Sequence, residues 1–228
     1  MTDLVELSGP SFGPASDAAA RSLVIFLHGV GADGNDLIGL APRFAGALPD
    51  AAFVAPDAPY PCDMAPMGRQ WFSIQTQDAA LRLAAVRETA AILNAFIDAQ
   101  LAAHGLGDDR LALIGFSQGT MMSLFVAPRR DNPCAGIMAY SGRLEGGAEL
   151  GAEIRSRPPV MMVHGDGDEL LPVSSMTDAA ARLRENGIEV ETHVRPGLGH
   201  GIDEAGLKLG ATMLKRSLYP DEAEPDLC

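Results

Sequence analysis

The segment LALIGFSQGTMMSLFVA, residues 111–127, decides the fold of this chain. Its first six residues are mostly large and apolar, which predicts a strand buried on both faces, and the run 120–127 predicts a helix. Between them stands a G-x-S-x-G pattern made by Gly115, Ser117 and Gly119. Glycine at both ends lets the backbone turn sharply and lets strand and helix approach closely. The pattern therefore predicts a strained serine that projects at the carboxyl edge of a sheet.

Ser117 can be interpreted in two ways, as a nucleophile or as the N-cap of the following helix. An alcohol is a poor nucleophile at its own pKa, so the first interpretation requires a base. His200 lies in the glycine-rich loop 196–201, between the last predicted strand and the last predicted helix, from where a side chain can reach over a sheet edge. We therefore take His200 as the base and interpret His104 and His193 as structural.

A carboxylate is also needed, to fix the tautomer of the imidazole and to stabilise its protonated form. The predicted strand 160–163 runs into a turn that contains Asp166 and Asp168. We favour Asp168, because it comes later in the turn with room to reach the next loop, and we expect Asp166 to make a local Asx-type turn hydrogen bond. A metal site formed by both aspartates and His164 is the competing interpretation, but no further His/Asp cluster is placed to complete it.

The order serine, aspartate, histidine is the one expected when the nucleophile stands on a strand–turn–helix elbow. Such a serine also needs N–H donors where negative charge develops. The N–H of Gln118 is available by position, because this residue directly follows the serine. The second donor should come from the loop 28–34, HGVGADG, after an early predicted strand. A phosphate cradle is disfavoured here, because the loop lacks a P-loop lysine and the nearby charges, Asp33 and Asp36, have the wrong sign.

The rest of the chain alternates apolar runs with helical stretches. The clearest helix is predicted over 78–103, where apolar residues recur at three- and four-residue spacing before Gly105. Strands that alternate with helices imply parallel pairing through right-handed crossovers, and the units are too few for an eight-fold barrel. We therefore predict an α/β fold, a mostly parallel open sheet with helices on both faces. Its further strands are predicted at 23–27, 51–55, 136–140 and 160–163, with an outer strand at 188–194.

Composition excludes several classes of function. The chain has 228 residues, with 17 basic and 30 acidic side chains and a formal net charge of −13. This charge, without a basic cluster, argues against a nucleic-acid partner and against attraction to anionic membranes. The 3 cysteines are far apart, which argues against a disulfide framework and favours a reducing compartment. No signal sequence or membrane-spanning run is apparent, so we expect a cytoplasmic protein.

One domain is predicted over residues 1–219, because no repeat or low-complexity linker interrupts the chain. A chain of this length can bury one sizeable core. Residues 220–228 are acidic and contain no basic residue, which predicts a flexible tail.

Five motifs of the chain resemble those of the phospholipase/carboxylesterase family of small α/β-hydrolases, which includes the acyl-protein thioesterases. The resemblance implies an α/β-hydrolase fold without a large lid domain, and hydrolysis of carboxylic esters or thioesters without cofactor or metal. It implies Ser117 as nucleophile, Asp168 as the carboxylate that orients the base, and His200 as the base. The motifs are LHGVGADGNDL at 27–37, RQWFSI at 69–74, IGFSQG at 114–119, HGDGDELLPV at 164–173 and GLGHGID at 197–203.

The same resemblance implies further site residues. The amides of Val30 and Gln118 would form the oxyanion hole, and Trp71, Phe72 and Met67 would bind the substrate near the acyl site. A small acyl ester or thioester is the expected partner, and relatives are often dimeric. Two alternatives stay open: a peptidase or amidase with the same triad, and a catalytically silent hydrolase fold that serves as a binding module.

Overall fold

The computed structural model describes residues 5–76 and 78–222, and its main feature is a seven-stranded sheet. A two-stranded hairpin lies outside that sheet. The strands are β1 (Ser11–Phe12), β2 (Ser22–Leu27), β3 (Ala51–Val54), β4 (Tyr60–Pro61), β5 (Arg69–Gln70), β6 (Leu111–Phe116), β7 (Gly136–Tyr140), β8 (Val160–Gly165) and β9 (Val190–Arg195). The helices are α1 (Gly34–Ile38), α2 (Ala41–Ala45), α3 (Ala79–His104), α4 (Gln118–Val126), α5 (Leu150–Glu153), α6 (Ser174–Glu185) and α7 (Glu204–Leu218).

The sheet has the order β1-β3-β2-β6-β7-β8-β9. Within it, β1 pairs antiparallel with β3, and the other neighbours pair in parallel. The predicted mostly parallel, open sheet is therefore confirmed. Its register aligns the strand ends, since Gly115 pairs with Leu27 on one side and with Ala139 on the other. The loops after these parallel strands consequently meet at one edge of the sheet.

Helices cover both faces of the sheet, which explains the nearly unbroken apolar strands. Along β2, Leu23 and Ile25 pack in one core cluster while Val24 and Phe26 pack in the other, and all of these side chains are fully buried. The first cluster includes residues of α3, α4 and α6, and the second includes residues of α1, α2 and α7. No large lid domain is present in the part of the chain that the structure describes.

The long helix α3 has the ends that the sequence predicts. The carboxylate of Asp78 accepts hydrogen bonds from the N–H groups of Ala80 at 2.8 Å and Leu81 at 3.1 Å, which caps the first turn. Gly105 adopts a left-handed φ of 66° and ends the helix. The predicted apolar stripe is buried along its length and consists of Val86, Ala90, Leu93, Ile97 and Leu101.

The short elements are those that the sequence patterns miss. Strands β1, β4 and β5 contain 2 residues each, too few to show a periodicity. Tyr60 pairs with Gln70 in the β4–β5 hairpin. Two backbone hydrogen bonds join this hairpin to the loop after β2. The Gly31 N–H donates to the Arg69 carbonyl at 2.8 Å, and the Arg69 N–H donates to the Ala32 carbonyl at 2.8 Å.

None of the helices within residues 5–76 and 78–222 is long and apolar enough to cross a membrane. At the other end of the chain, Pro220–Glu222 form a 3-10 turn, and Arg21 lies 3.0 Å from the carboxylate of Glu222. The rest of the predicted acidic tail, residues 223–228, lies outside the described residues.

Candidate active site

Ser117 stands between the end of β6 and the start of α4, with φ 53° and ψ −113°. A non-glycine residue in this region carries strain of about 1–3 kcal/mol, which the surrounding packing must hold. A Cβ on Gly115 would lie 2.5 Å from Cα of Thr120, and a Cβ on Gly119 would lie 1.8 Å from the Leu27 carbonyl oxygen. Both glycines are therefore required by the close approach of strand and helix, as the motif predicts.

The serine hydroxyl is not used to cap the helix. Ser117 precedes α4 in the N-cap position, yet its side chain makes no capping hydrogen bond among the described residues. The backbone is held instead from β7, since the Ser117 N–H donates to the Tyr140 carbonyl at 3.0 Å and the Thr120 hydroxyl donates to the same carbonyl at 2.7 Å. The turn is thus fixed by its neighbours while the hydroxyl stays available.

Asp168 and His200 are joined across two loops. Nδ1 of His200 donates to Oδ2 of Asp168 at 2.7 Å, and Oδ1 accepts from the N–H groups of Leu170 and Leu171 at 2.9 Å each. The carboxylate side chain is fully buried. Burial by itself would raise the pKa of this carboxyl, but the hydrogen bonds from the Leu171 amide and from His200 outweigh it and lower the pKa of Asp168 below its usual value.

Ser117 and His200 line the same cavity, of about 420 Å³, at the carboxyl edge of the sheet. We call it the Ser117 cavity. Because Asp168 engages Nδ1 of the imidazole, Nε2 is the ring nitrogen that remains for the cavity. Within the described residues the Ser117 hydroxyl makes no hydrogen bond to this imidazole, although both residues line the cavity.

Asp166 does not make the local turn hydrogen bond that the sequence suggests. Its Oδ1 accepts from the N–H of Gly197 at 2.6 Å, which lies in the loop of His200. The Gly167 N–H also donates to the Leu198 carbonyl at 3.0 Å. Asp166 therefore joins the loop of His200 to the loop of Asp168, a long-range role that spacing along the chain cannot reveal.

His164 supports the same carboxylate loop from below. It is buried, and its Nε2 lies 2.9 Å from the Leu171 carbonyl oxygen and 3.1 Å from Oδ2 of Asp168. A carbonyl oxygen only accepts, so Nε2 carries the hydrogen in this contact. The opposite ring nitrogen, Nδ1, is buried without a hydrogen-bond partner among the described residues. The described residues contain no group of three His, Cys, Asp or Glu side chains arranged to hold a metal ion.

The loop after β2 runs alongside Ser117. Val30 lines the Ser117 cavity, and a Cβ on Gly29 would lie only 3.4 Å from Cβ of Ser117. The N–H groups of Val30 and Gln118 donate to no other group in the described part of the chain. Gly31, with a φ of 83°, makes the turn that brings the loop back to the β4–β5 hairpin.

The three residues expected to bind substrate do not line this cavity. Trp71 is fully buried and Phe72 is 1 % exposed, whereas Met67 is 81 % exposed. The Trp71 N–H donates to Oε1 of Gln118 at 2.7 Å, and Nε2 of Gln118 donates to the Phe72 carbonyl at 2.7 Å. The Trp71 indole N–H donates to the His28 carbonyl at 3.0 Å. The side-chain amide of Gln118 therefore holds the backbone of Trp71 and Phe72, and neither aromatic residue lines the Ser117 cavity.

Sequence reasoning missed much of the cavity wall. Arg143 carried a usable signal, because it follows β7 closely at the same sheet edge as Ser117. The others offered none, since they come from the segment before α3, from α3 itself and from the residues after Asp168. Among the missed wall residues are Ile74, Thr76, Arg82, Arg143, Leu170 and Leu171.

Comparisons with known proteins bear on this site. The sequence profile of the family described as Phospholipase/Carboxylesterase matches residues 14–218. Esterase YpfH of Escherichia coli (strain K12) is 30 % identical over 213 residues, covering 91 % of this chain and 89 % of the relative. The crystal structure of esterase PE8 superposes with a TM-score of 0.89 at 40 % identity, covering 94 % of this chain and 100 % of that chain. A relative named probable inactive carboxylesterase Os04g0669700, of Oryza sativa subsp. japonica, is 29 % identical over 205 residues, covering 83 % of this chain and 82 % of the relative.

Proposed function

Because the chain belongs to the phospholipase/carboxylesterase family, we propose that it is a serine hydrolase of carboxylic esters that works through an acyl-enzyme. The observation that carries the proposal is the hydrogen bond of 2.7 Å between Asp168 and His200, because His200 lines the same cavity as Ser117. A buried carboxylate, an imidazole and a serine whose hydroxyl does not cap the helix lie at one sheet edge. Together they meet the requirements of nucleophilic acyl transfer.

In the acylation step, Nε2 of His200 removes the proton from Oγ of Ser117 as that oxygen attacks the acyl carbonyl carbon. The imidazolium then returns the proton to the leaving alcohol, and the acyl group stays on the serine as an ester. In deacylation a water molecule takes the place of the serine. His200 removes its proton, the hydroxide attacks the acyl carbon, and the proton goes back to Ser117 as the acid leaves.

Charge that develops on the carbonyl oxygen needs preorganised donors. The N–H groups of Val30 and Gln118 are the donors we propose, since Val30 lines the cavity, Gln118 directly follows the serine, and neither N–H is used elsewhere in the described residues. One such donor is worth about 3 kcal/mol in the barrier. Asp168 stabilises the imidazolium, and its lowered pKa keeps it ionised at neutral pH.

The proposal is tested by removing the nucleophile. The variant Ser117→Ala should lower kcat/KM for p-nitrophenyl butyrate by at least about 10⁴-fold, because triad members act as a unit. Ser174→Ala is the matched control, since that serine is exposed at the start of α6 and is outside the cavity. The far-ultraviolet circular dichroism spectrum shows whether the variant is folded. If Ser117→Ala has the same spectrum as the parent and retains activity, Ser117 is excluded as the nucleophile.

Two alternatives use the same residues. An amidase or peptidase would hydrolyse butyryl p-nitroanilide at a readily measured rate, whereas we expect only the matched p-nitrophenyl ester to be hydrolysed, because p-nitrophenolate is a much better leaving group than the p-nitroaniline nitrogen. A silent binding module would not react with a fluorophosphonate probe, which requires an activated serine. We expect the purified protein to be labelled and Ser117→Ala not to be. Thioesters belong in the same assay as a third series, with kcat/KM as the readout.

A further inference from the structure

The charges on the wall of the Ser117 cavity have one sign. Its charged lining residues are Arg82 and Arg143, and no carboxylate of the described residues lines it. The whole chain has a formal net charge of −13, whereas the two guanidinium groups on the wall of this cavity are positively charged. A concave site with one sign of charge favours ligands of the opposite sign.

Glu145 holds the two arginines in place. The residue is 6 % exposed; its Oε2 accepts from Nε of Arg82 at 3.2 Å, and its Oε1 accepts from Nε of Arg143 at 2.7 Å. Nη2 of Arg143 lies 2.6 Å from the same Oε1. One carboxylate is thus shared by two guanidinium groups, and the cluster keeps one positive charge that it does not neutralise itself.

Several donors of this cluster remain unused. Among the described residues, Arg82 gives only its Nε–H to Glu145, and Arg143 gives Nε and Nη2. Their side chains are 23 % and 36 % exposed, and both line the Ser117 cavity. A guanidinium presents its N–H donors as a planar fork that matches the two oxygens of a carboxylate.

We propose that Arg82 and Arg143 form an anion subsite, and that the substrate is a small ester that carries a second, negatively charged group such as a carboxylate. The inference rests on the proposed esterase function and adds the substrate class to it. A clip that only fastens α3 to the segment after β7 would need one arginine for the one carboxylate of Glu145. The second arginine is explained by an anion that comes with the substrate.

The experiment compares two esters that differ in charge and little in size, mono-p-nitrophenyl glutarate and p-nitrophenyl pentanoate. The measured quantity is the ratio of kcat/KM for the charged ester to kcat/KM for the neutral one. We expect Arg143→Gln and Arg82→Gln each to lower this ratio by about tenfold or more, which corresponds to about 1.4 kcal/mol. Arg143→Lys should retain more of the ratio than Arg143→Gln, because it keeps the charge but loses the fork.

A second pair of esters shows on which side of the scissile bond the anion lies. In 4-acetoxybenzoate the charge is on the leaving group, and its methyl ester is the neutral partner. The effect of each arginine variant on this ratio, compared with the effect on the glutarate pair, assigns the subsite to the alcohol side or to the acyl side. In either case, loss of the ratio in the arginine variants supports the subsite.

Arg87→Gln is the matched control. Arg87 lies on α3 like Arg82 and is likewise ion-paired, 2.5 Å from Glu153, but it does not line the cavity. This substitution should leave kcat/KM unchanged for both esters. Variants of Arg82 and Arg143 that slow both esters equally, so that the ratio does not move, would overturn the anion subsite and assign the cluster a structural role. A parent protein that hydrolyses neither ester would instead refute the proposed esterase function.

Discussion

His200 donates from Nδ1 to Oδ2 of Asp168 at 2.7 Å, although 32 residues separate the two in the chain. The contact is possible because the loops after β8 and β9 leave neighbouring parallel strands at the same edge. Further bonds between the loops, from Gly197 N–H to Asp166 and from Gly167 N–H to the Leu198 carbonyl, hold them in this arrangement. The position of the His200 imidazole is thus set by the backbone of its loop as well as by the Asp168 carboxylate.

Replacement of Asp168 by asparagine should lower kcat by about 10³- to 10⁴-fold, because an amide can hold the imidazole in the wrong tautomer and cannot stabilise the imidazolium. The measurement is kcat on p-nitrophenyl butyrate at neutral pH. Asp166→Asn serves as the comparison, since its amide oxygen still accepts from Gly197. We expect it to keep most of the activity; equal losses in both variants would contradict the role assigned to Asp168.

Asp168 should also stabilise the folded protein at neutral pH and lose this contribution in acid. Its pKa in the folded state is lowered, so below about pH 4, where carboxyls of the unfolded chain begin to bind protons, the unfolded state binds more of them. The stabilisation is present above that pH and is lost as the pH falls through the folded-state pKa. Urea midpoints of the parent should therefore fall more steeply on acidification than those of Asp168→Asn. Parallel curves would show that Asp168 contributes nothing to this dependence.

Gly119→Ala should destabilise the protein by several kcal/mol or prevent folding. The added Cβ would lie 1.8 Å from a backbone oxygen, that of Leu27, which cannot move away as a flexible side chain would. Gly46→Ala is the control, because nothing lies within 4 Å of its Cβ position and its φ of −61° suits alanine. We expect that control to change the free energy of unfolding by less than about 1 kcal/mol. Urea denaturation measures both, and a stable, active Gly119→Ala would show that the elbow tolerates a side chain.

Gln118→Ala tests whether the buried amide supports the active site. The change leaves the backbone N–H of residue 118 in place but removes the partners of the Trp71 N–H and the Phe72 carbonyl. Each buried group left without a partner costs about 1–3 kcal/mol, so the unfolding free energy should fall. We also expect kcat to fall while KM changes little, because the donor beside the serine is less firmly held. Unchanged kcat with a lowered unfolding free energy would show that the amide supports only the fold.

The family and the mostly parallel sheet could be predicted from local features. Apolar runs, helical spacing and glycine at the turns are short-range properties, and G-x-S-x-G between a strand and a helix fixes where the serine stands. His200 and Asp168 could be predicted for a related reason, since the loops after parallel strands must share an edge of the sheet. Strands of two residues could not be predicted, because they are too short to show a pattern in the sequence.

The chain by itself therefore determined which residues have the right chemistry, and the order in which they follow the strands. Only the tertiary structure decided which side chains face the cavity. It buried Trp71 and Phe72, joined their backbone to the side-chain amide of Gln118, and brought Arg82 and Arg143 together on Glu145. The physical reason is that residue spacing reports the face of an element, whereas a cavity wall depends on how separate elements pack, which no single stretch of sequence encodes.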